Sequence, residues 1–151
     1  MDSNVNIKTA RGRNWTLGED EALCLAWLDV SQDPIVSTNQ KSETLFSRIH
    51  RKFIEICREK KLTVDPELRG TPGIKSRWSI INKSVSKFVG CLAQIKSRQQ
   101  SGAAPEDELQ EALVLYDTKE NTPFSLIHCF KILEKAPKWS QCFATKQVCI
   151  L

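Results

Sequence analysis

The chain has 151 residues, of which 40% are hydrophobic and 26% are charged, a balance typical of a folded globular protein rather than a disordered one. No apolar run approaches the roughly 20 residues that a membrane helix needs, and the polar N-terminus lacks a signal-peptide pattern. We therefore predict no membrane partner and a reducing compartment. The net charge of +4 is uneven, because residues 1–100 carry 17 Lys and Arg against 11 Asp and Glu, whereas residues 101–151 carry 5 against 7.

Six cysteines are spread along the chain without any CxxC pair, too far apart for a zinc knuckle. Cys24, Cys57, Cys91 and Cys129 fall inside apolar helical patterns, where a free thiol packs as a small hydrophobic group. The sequence therefore predicts no disulfide framework, no metal site and no cofactor.

Residues 1–13 are predicted to be a disordered basic arm, with Arg11 and Arg13 near its end. Such an arm beside a helical unit can reach the minor groove of DNA. A solvated tail without a partner explains the same residues equally well.

The first predicted helix has a clear start. Thr16 followed by Glu19 forms the pattern of a capping box, in which the hydroxyl and the carboxylate each satisfy a backbone N–H. Asp20 and Glu21 add negative charge to the first turn, where the helix dipole favours it.

Two further helices follow in the basic part of the chain. Periodicity predicts one over residues 41–60 and another within residues 69–98. The stretch 69–98 contains seven basic residues and no Asp or Glu, so one face of its helix is apolar and the other is small, polar and positive. A surface helix usually mixes charges of both signs, so an acid-free face favours an anionic partner. An ordinary solvated helix is the alternative.

The C-terminal third is predicted to be helical as well. Residues 99–105 read as a linker and residues 106–118 as a fourth helix with an acidic start. Thr122 and Pro123 form an N-cap and N1 pair that predicts a fifth helix to about Lys135. Residues 106–139 would then form a helical segment that either completes the core or binds a protein partner, and residues 140–151 form a tail.

The predicted fold class is all-α, with three helices around one core, a long third helix and two further helices. The predicted core residues share helical spacing or aromatic bulk. They are Trp15, Leu23, Trp27, Phe46, Ile49, Phe53, Trp78, Ile81, Val85 and Phe88.

The order of these residues resembles the Myb/SANT-like (trihelix-like) group, and most closely its plant and Harbinger-transposon members that carry a following segment associated with the no-apical-meristem proteins. The matching residues are Trp15-Thr16, Glu19-Asp20, Leu23 and Trp27, then Phe46, Arg48-Ile49 and Phe53, then Ile74 to Trp78 and Ile81-Asn82, then Phe88, Gly90-Cys91 and Gln94-Ile95, and finally residues between Pro123 and Trp139. The resemblance covers about residues 14–139 and implies a three-helix domain over 14–98.

The resemblance also implies a helix-turn-helix-like unit whose third helix enters the major groove. Its base-reaching positions correspond to Lys75, Ser76, Ser79 and Lys83, and Arg77 takes a phosphate-binding or structural role. The full predicted DNA-binding set is Lys75, Ser76, Arg77, Ser79, Asn82, Lys83 and Lys87, with Arg11 and Arg13 of the arm.

The leading hypothesis from the sequence is therefore a nuclear protein that binds double-stranded DNA, either a transcription regulator or a transposon-derived accessory factor. The alternative is a SANT-type protein-interaction module without DNA specificity. No nucleophile–base pair, phosphate-binding loop or carboxylate pair stands out, so the sequence predicts neither an enzyme nor a small-molecule substrate.

Overall fold

The computed structural model describes residues 14–31, 42–62, 69–98 and 104–136. This part of the chain contains five α-helices and no β-strand, which confirms the all-α class. In chain order the helices are α1 (Leu17–Ser31), α2 (Ser42–Glu59), α3 (Thr71–Arg98), α4 (Pro105–Glu120) and α5 (Ile127–Leu133).

Several predicted features lie outside the described residues. They are the basic arm of residues 1–13, most of the linker 99–105, Trp139 and the tail 140–151. The division of the chain into domains stays a prediction. Among the described residues, no helix combines the length and the apolar character that a membrane crossing requires.

The start of α1 is set by its own sequence. The backbone N–H of Glu19 donates to Thr16 Oγ1 at 3.1 Å, and the backbone N–H of Thr16 donates to Glu19 Oε1 at 3.0 Å. Two N–H groups that the helix cannot satisfy internally are thereby paired. The predicted capping box is confirmed.

The start of α5 differs from its prediction. The helix begins at Ile127 rather than at Pro123. The preceding helix α4 is closed by Asn121, which adopts a left-handed conformation (φ 61°) and whose backbone N–H donates to the Asp117 carbonyl oxygen. The residues between the two helices are non-helical and deliver Phe124 to the core, where it is 9% exposed. Burial of this side chain overrides the local N-cap pattern.

All five helices contribute to one hydrophobic core. α1 packs against α2, α3 and α5, while α4 packs along α3. Between α1 and α3, Trp27 stacks on Trp78, with ring centroids 4.8 Å apart. Just before α1, Trp15 lies against Phe53 of α2, with ring centroids 5.5 Å apart.

An aromatic cluster joins the last three helices. Phe88 of α3 is fully buried and stacks in parallel on Phe124 at 4.4 Å. Phe130 of α5 meets it edge-on at 5.0 Å, and Tyr116 of α4 lies 6.4 Å away. α4 and α5 are therefore packed on α3 through Phe88.

The residues proposed as the core from sequence lie mostly in this interior. Trp15 and Phe46 are half-buried. The others, Leu23, Trp27, Ile49, Phe53, Trp78, Ile81, Val85 and Phe88, are buried.

We predict that Phe88→Ala lowers the free energy of unfolding by about 3–5 kcal/mol, because it removes the ring that joins three helices and leaves a cavity. Chemical denaturation followed by circular dichroism measures this change. Ile80→Ala is the matched control in the same helix, since Ile80 is 50% exposed and its loss should change stability by no more than about 0.5 kcal/mol. Equal effects of the two substitutions would contradict the central position of Phe88.

Candidate functional site

The outer face of α3 is polar and positive, as its sequence indicates. Lys75, Ser76, Ser79 and Lys83 are all exposed. The Lys75 ammonium lies 6.0 Å from the centre of the Phe46 ring, a distance that allows a weak cation–π contact. These four side chains of α3 are therefore open to solvent.

Other predicted DNA-binding residues are engaged within the fold. Arg77 donates from Nε and Nη2 to the two carboxylate oxygens of Asp20, at 2.8 and 2.9 Å. Lys87 forms an ion pair with Glu120 at 3.0 Å, and Asn82 is half-buried. Arg11 and Arg13 lie outside the described residues.

These contacts remove part of the reason for expecting an anionic partner. The helix α3 has no acidic residue of its own, but α1 and α4 supply carboxylates to it. Arg69, just before the helix, is paired with Glu19 in the same way. Part of the positive charge of the acid-free stretch is therefore a counter-charge for acids elsewhere in the fold.

The pair between Glu19 and Arg69 is buried, with side chains 1% and 8% exposed. Arg69 Nε donates to Glu19 Oε2 and Nη2 donates to Oε1, both at 3.0 Å. The Arg69 guanidinium also lies 4.5 Å from the centre of the Trp15 ring and donates to the Asn14 carbonyl oxygen. His50 Nε2 approaches the Arg69 carbonyl oxygen at 2.6 Å. The ion pair therefore joins α1 to the residue that precedes α3 by two positions, and the His50 contact joins that residue to α2.

Burial and hydrogen bonding act in opposite directions on the pKa of Glu19. Desolvation raises this pKa, but the hydrogen bonds from Arg69 and Thr16, together with the positive charge of Arg69, outweigh it. The net pKa lies below its usual value of 4.5. Glu19 is therefore ionised at neutral pH, as a charged capping residue must be.

Asp20 is the second buried acid of α1, and it joins three helices. Besides Arg77 of α3, it meets His128 of α5, whose Nε2 lies 3.1 Å from Asp20 Oδ2. The side chain of Asp20 is 3% exposed and that of His128 is 14% exposed. Sequence reasoning assigned Asp20 only to the helix dipole, because nothing local marks a partner 108 residues away.

Two buried thiols adjoin this carboxylate. Cys24 of α1 and Cys129 of α5 are both fully buried, and the neighbouring Cys129 thiol, together with burial, raises the pKa of the Cys24 thiol. One ligand atom each from Asp20, His128 and Cys129 lie within 4.8 Å of one another. The sequence predicted no metal site, since these residues share no recognisable spacing along the chain.

The same part of the molecule has an open groove between α1 and α5. Its volume is about 630 Å³. The groove is lined by apolar side chains of both helices, with charged or ionisable groups around them. The lining residues are Glu21, Leu25, Leu28, Ile127, His128, Lys131, Ile132, Lys135 and Ala136.

Comparison with known proteins found two curated relatives from Arabidopsis thaliana. Over 136 residues, which are 90% of this chain, it is 33% identical to glutathione S-transferase T3. Over 141 residues, or 92% of the chain, it is 30% identical to glutathione S-transferase T2. The chain spans only 22% and 23% of the length of these relatives. No family model matches the chain, and no solved structure matches it either.

These relatives contradict the functional interpretation of the sequence. Both are named as glutathione S-transferases, so the resemblance to the Myb/SANT-like group is corrected, together with the DNA-binding function and the SANT-type alternative. The prediction of double-stranded DNA as a partner is corrected for the same reason. The predictions that the protein is not an enzyme and takes no small-molecule substrate also conflict with those names.

We predict that Arg69→Met lowers the free energy of unfolding at pH 7 by about 3–5 kcal/mol, because it leaves the buried Glu19 carboxylate without its cation. The contribution of Glu19 is present above pH 4.5 and is lost as the pH falls through its lowered pKa. Urea denaturation between pH 7 and pH 3 measures both effects.

The matched control is Lys52→Met, since Lys52 forms only partly exposed ion pairs with Asp29 and Glu55. Its effect on the free energy of unfolding should be below about 1 kcal/mol. Glu19→Gln should flatten the acid limb of the stability curve relative to the wild type. An unchanged slope in that variant would exclude Glu19 as the titrating group.

Proposed function

We propose that the chain contributes to a glutathione S-transferase-type function, as a helical part of a protein that binds glutathione or its conjugates. The observation that carries this proposal is the identity of 33% and 30% with two proteins of that name, over nine-tenths of the chain. Because the chain spans under a quarter of those relatives, its own share of the function is the point to be tested.

The groove between α1 and α5 is the place where we expect a ligand to bind. Its volume of about 630 Å³ lies within the usual range for small-molecule sites. Leu25 and Ile132 offer apolar surface, while Lys131 and Lys135 are exposed beside them. A glutathione conjugate combines an apolar substituent with two carboxylates. The groove therefore matches both parts of such a ligand.

The test is isothermal titration calorimetry of the 151-residue chain with S-hexylglutathione, an unreactive conjugate. We expect saturable binding of one ligand per chain. The double substitution Lys131→Ala/Lys135→Ala should weaken it about 2- to 30-fold, because two exposed charge pairs are lost and each contributes about 0.2–1 kcal/mol. Conjugation of glutathione to a chromogenic electrophile measures catalysis in the same preparation.

The control variant is Lys75→Ala/Lys83→Ala, which removes two exposed lysines from the outer face of α3. This variant should bind the conjugate as the wild type does. Absence of both binding and conjugation at millimolar ligand would overturn the proposal and assign the transferase function to the part of the relatives that this chain does not span.

Two finer predictions stay proposals. The helix-turn-helix-like arrangement of α1, α2 and α3 is supported by the packing of α1 on the other two helices, without the Myb/SANT-like assignment. Nuclear localisation also stays a prediction, which fluorescence microscopy of a tagged chain would check.

A further inference from the structure

The buried contact between α1 and α5 has the composition of a metal site. It brings together a carboxylate, an imidazole and two thiols, from Asp20, His128, Cys129 and Cys24. These are the donor types that zinc prefers, and sulfur and nitrogen donors in particular distinguish zinc from calcium or magnesium. We propose that these four side chains form a binding site for a thiophilic divalent cation of the zinc type.

The distances are close to those that coordination requires. Asp20 Oδ2 and His128 Nε2 are 3.1 Å apart, and one ligand atom each of Asp20, His128 and Cys129 lies within 4.8 Å of the other two. In a tetrahedral zinc site the ligand atoms are roughly 3.5 Å apart. Side-chain rotations that move these atoms by about 1 Å close the difference. The Cys24 thiol adjoins Cys129, and we assign it as the fourth donor.

The surroundings would orient the ligands and balance their charge. Arg77 holds both oxygens of Asp20, as a hydrogen-bonding neighbour of a ligating carboxylate commonly does. Two thiolates and a carboxylate around a divalent cation leave one negative charge, which Arg77 neutralises. Access is available too, because His128 lines the groove between α1 and α5.

Metal binding must displace protons from this site. Zinc binds cysteine as the thiolate, and both thiols of this site are buried. The cation binds thiolates and releases their protons, and its affinity therefore falls as the pH falls. The alternative is that the four side chains only pack, with Asp20 and His128 joined by a hydrogen bond.

The experiment is titration of the 151-residue chain with Co²⁺ and then Zn²⁺, in a Cys142→Ser/Cys149→Ser background because those two cysteines lie outside the described residues. We expect one cobalt ion per chain, with a thiolate-to-cobalt charge-transfer band that zinc abolishes. Zinc should also raise the melting temperature, since a ligand of the folded state stabilises it. Both effects should weaken at pH 5.

Cys129→Ser and His128→Gln should weaken cobalt binding by about 100-fold or more. Mutation of a residue that only supports a metal ligand already costs about 10- to 100-fold in affinity, and these two residues are proposed as ligands themselves. Cys57→Ser and Cys91→Ser remove buried thiols of α2 and α3 and serve as matched controls with unchanged binding. Absence of the charge-transfer band in the background chain would overturn the proposal, and so would equal binding by Cys129→Ser and Cys57→Ser. Because the probe is the metal alone, failure here leaves the glutathione proposal untouched.

Discussion

The fold depends on cationic partners for two neighbouring carboxylates that are buried at the start of α1. Glu19 and Asp20 are both almost fully buried, and a buried carboxylate without a cation is costly. Their partners come from different parts of the chain: Arg69 precedes α3, Arg77 lies within α3, and His128 lies in α5. Each pair joins the start of α1 to a different part of the chain. The apolar contacts provide the driving force for packing, and these polar contacts compensate the two carboxylates that the packing buries.

The same contacts change the meaning of the positive charge on α3. Charge along one helix says little about its environment, because the compensating acids can come from other helices. Arg77 and Lys87 are compensated in this way, by Asp20 and Glu120. Lys75 and Lys83 are exposed on the outer face of α3, as is ordinary for a surface helix. The groove between α1 and α5, rather than this exposed face of α3, is the surface on which the proposed ligand binding depends.

Much of the local structure could be predicted from the sequence. The capping box of Thr16 and Glu19 and the apolar spacing from Ile74 to Ile95 depend on interactions within a few residues, so the pattern contains the information. The start of α5 could not be predicted, because burial of Phe124 outweighs the signal from Pro123. The candidate sites are non-local in the same sense. Nothing near Asp20 in the sequence indicates that residues 128 and 129 will lie beside it.

The position of Phe88 has a consequence for the order in which the chain can fold. Its partners Tyr116, Phe124 and Phe130 all follow it in the sequence, by up to 42 residues. During synthesis, α1, α2 and α3 therefore leave the ribosome before the residues that pack against the Phe88 ring. Contacts between residues this far apart in the sequence have a loop-closure entropy cost, and the formation of the individual helices does not offset it. Until α4 and α5 have been synthesised and packed, α3 exposes hydrophobic surface of the kind that promotes aggregation and that chaperones bind.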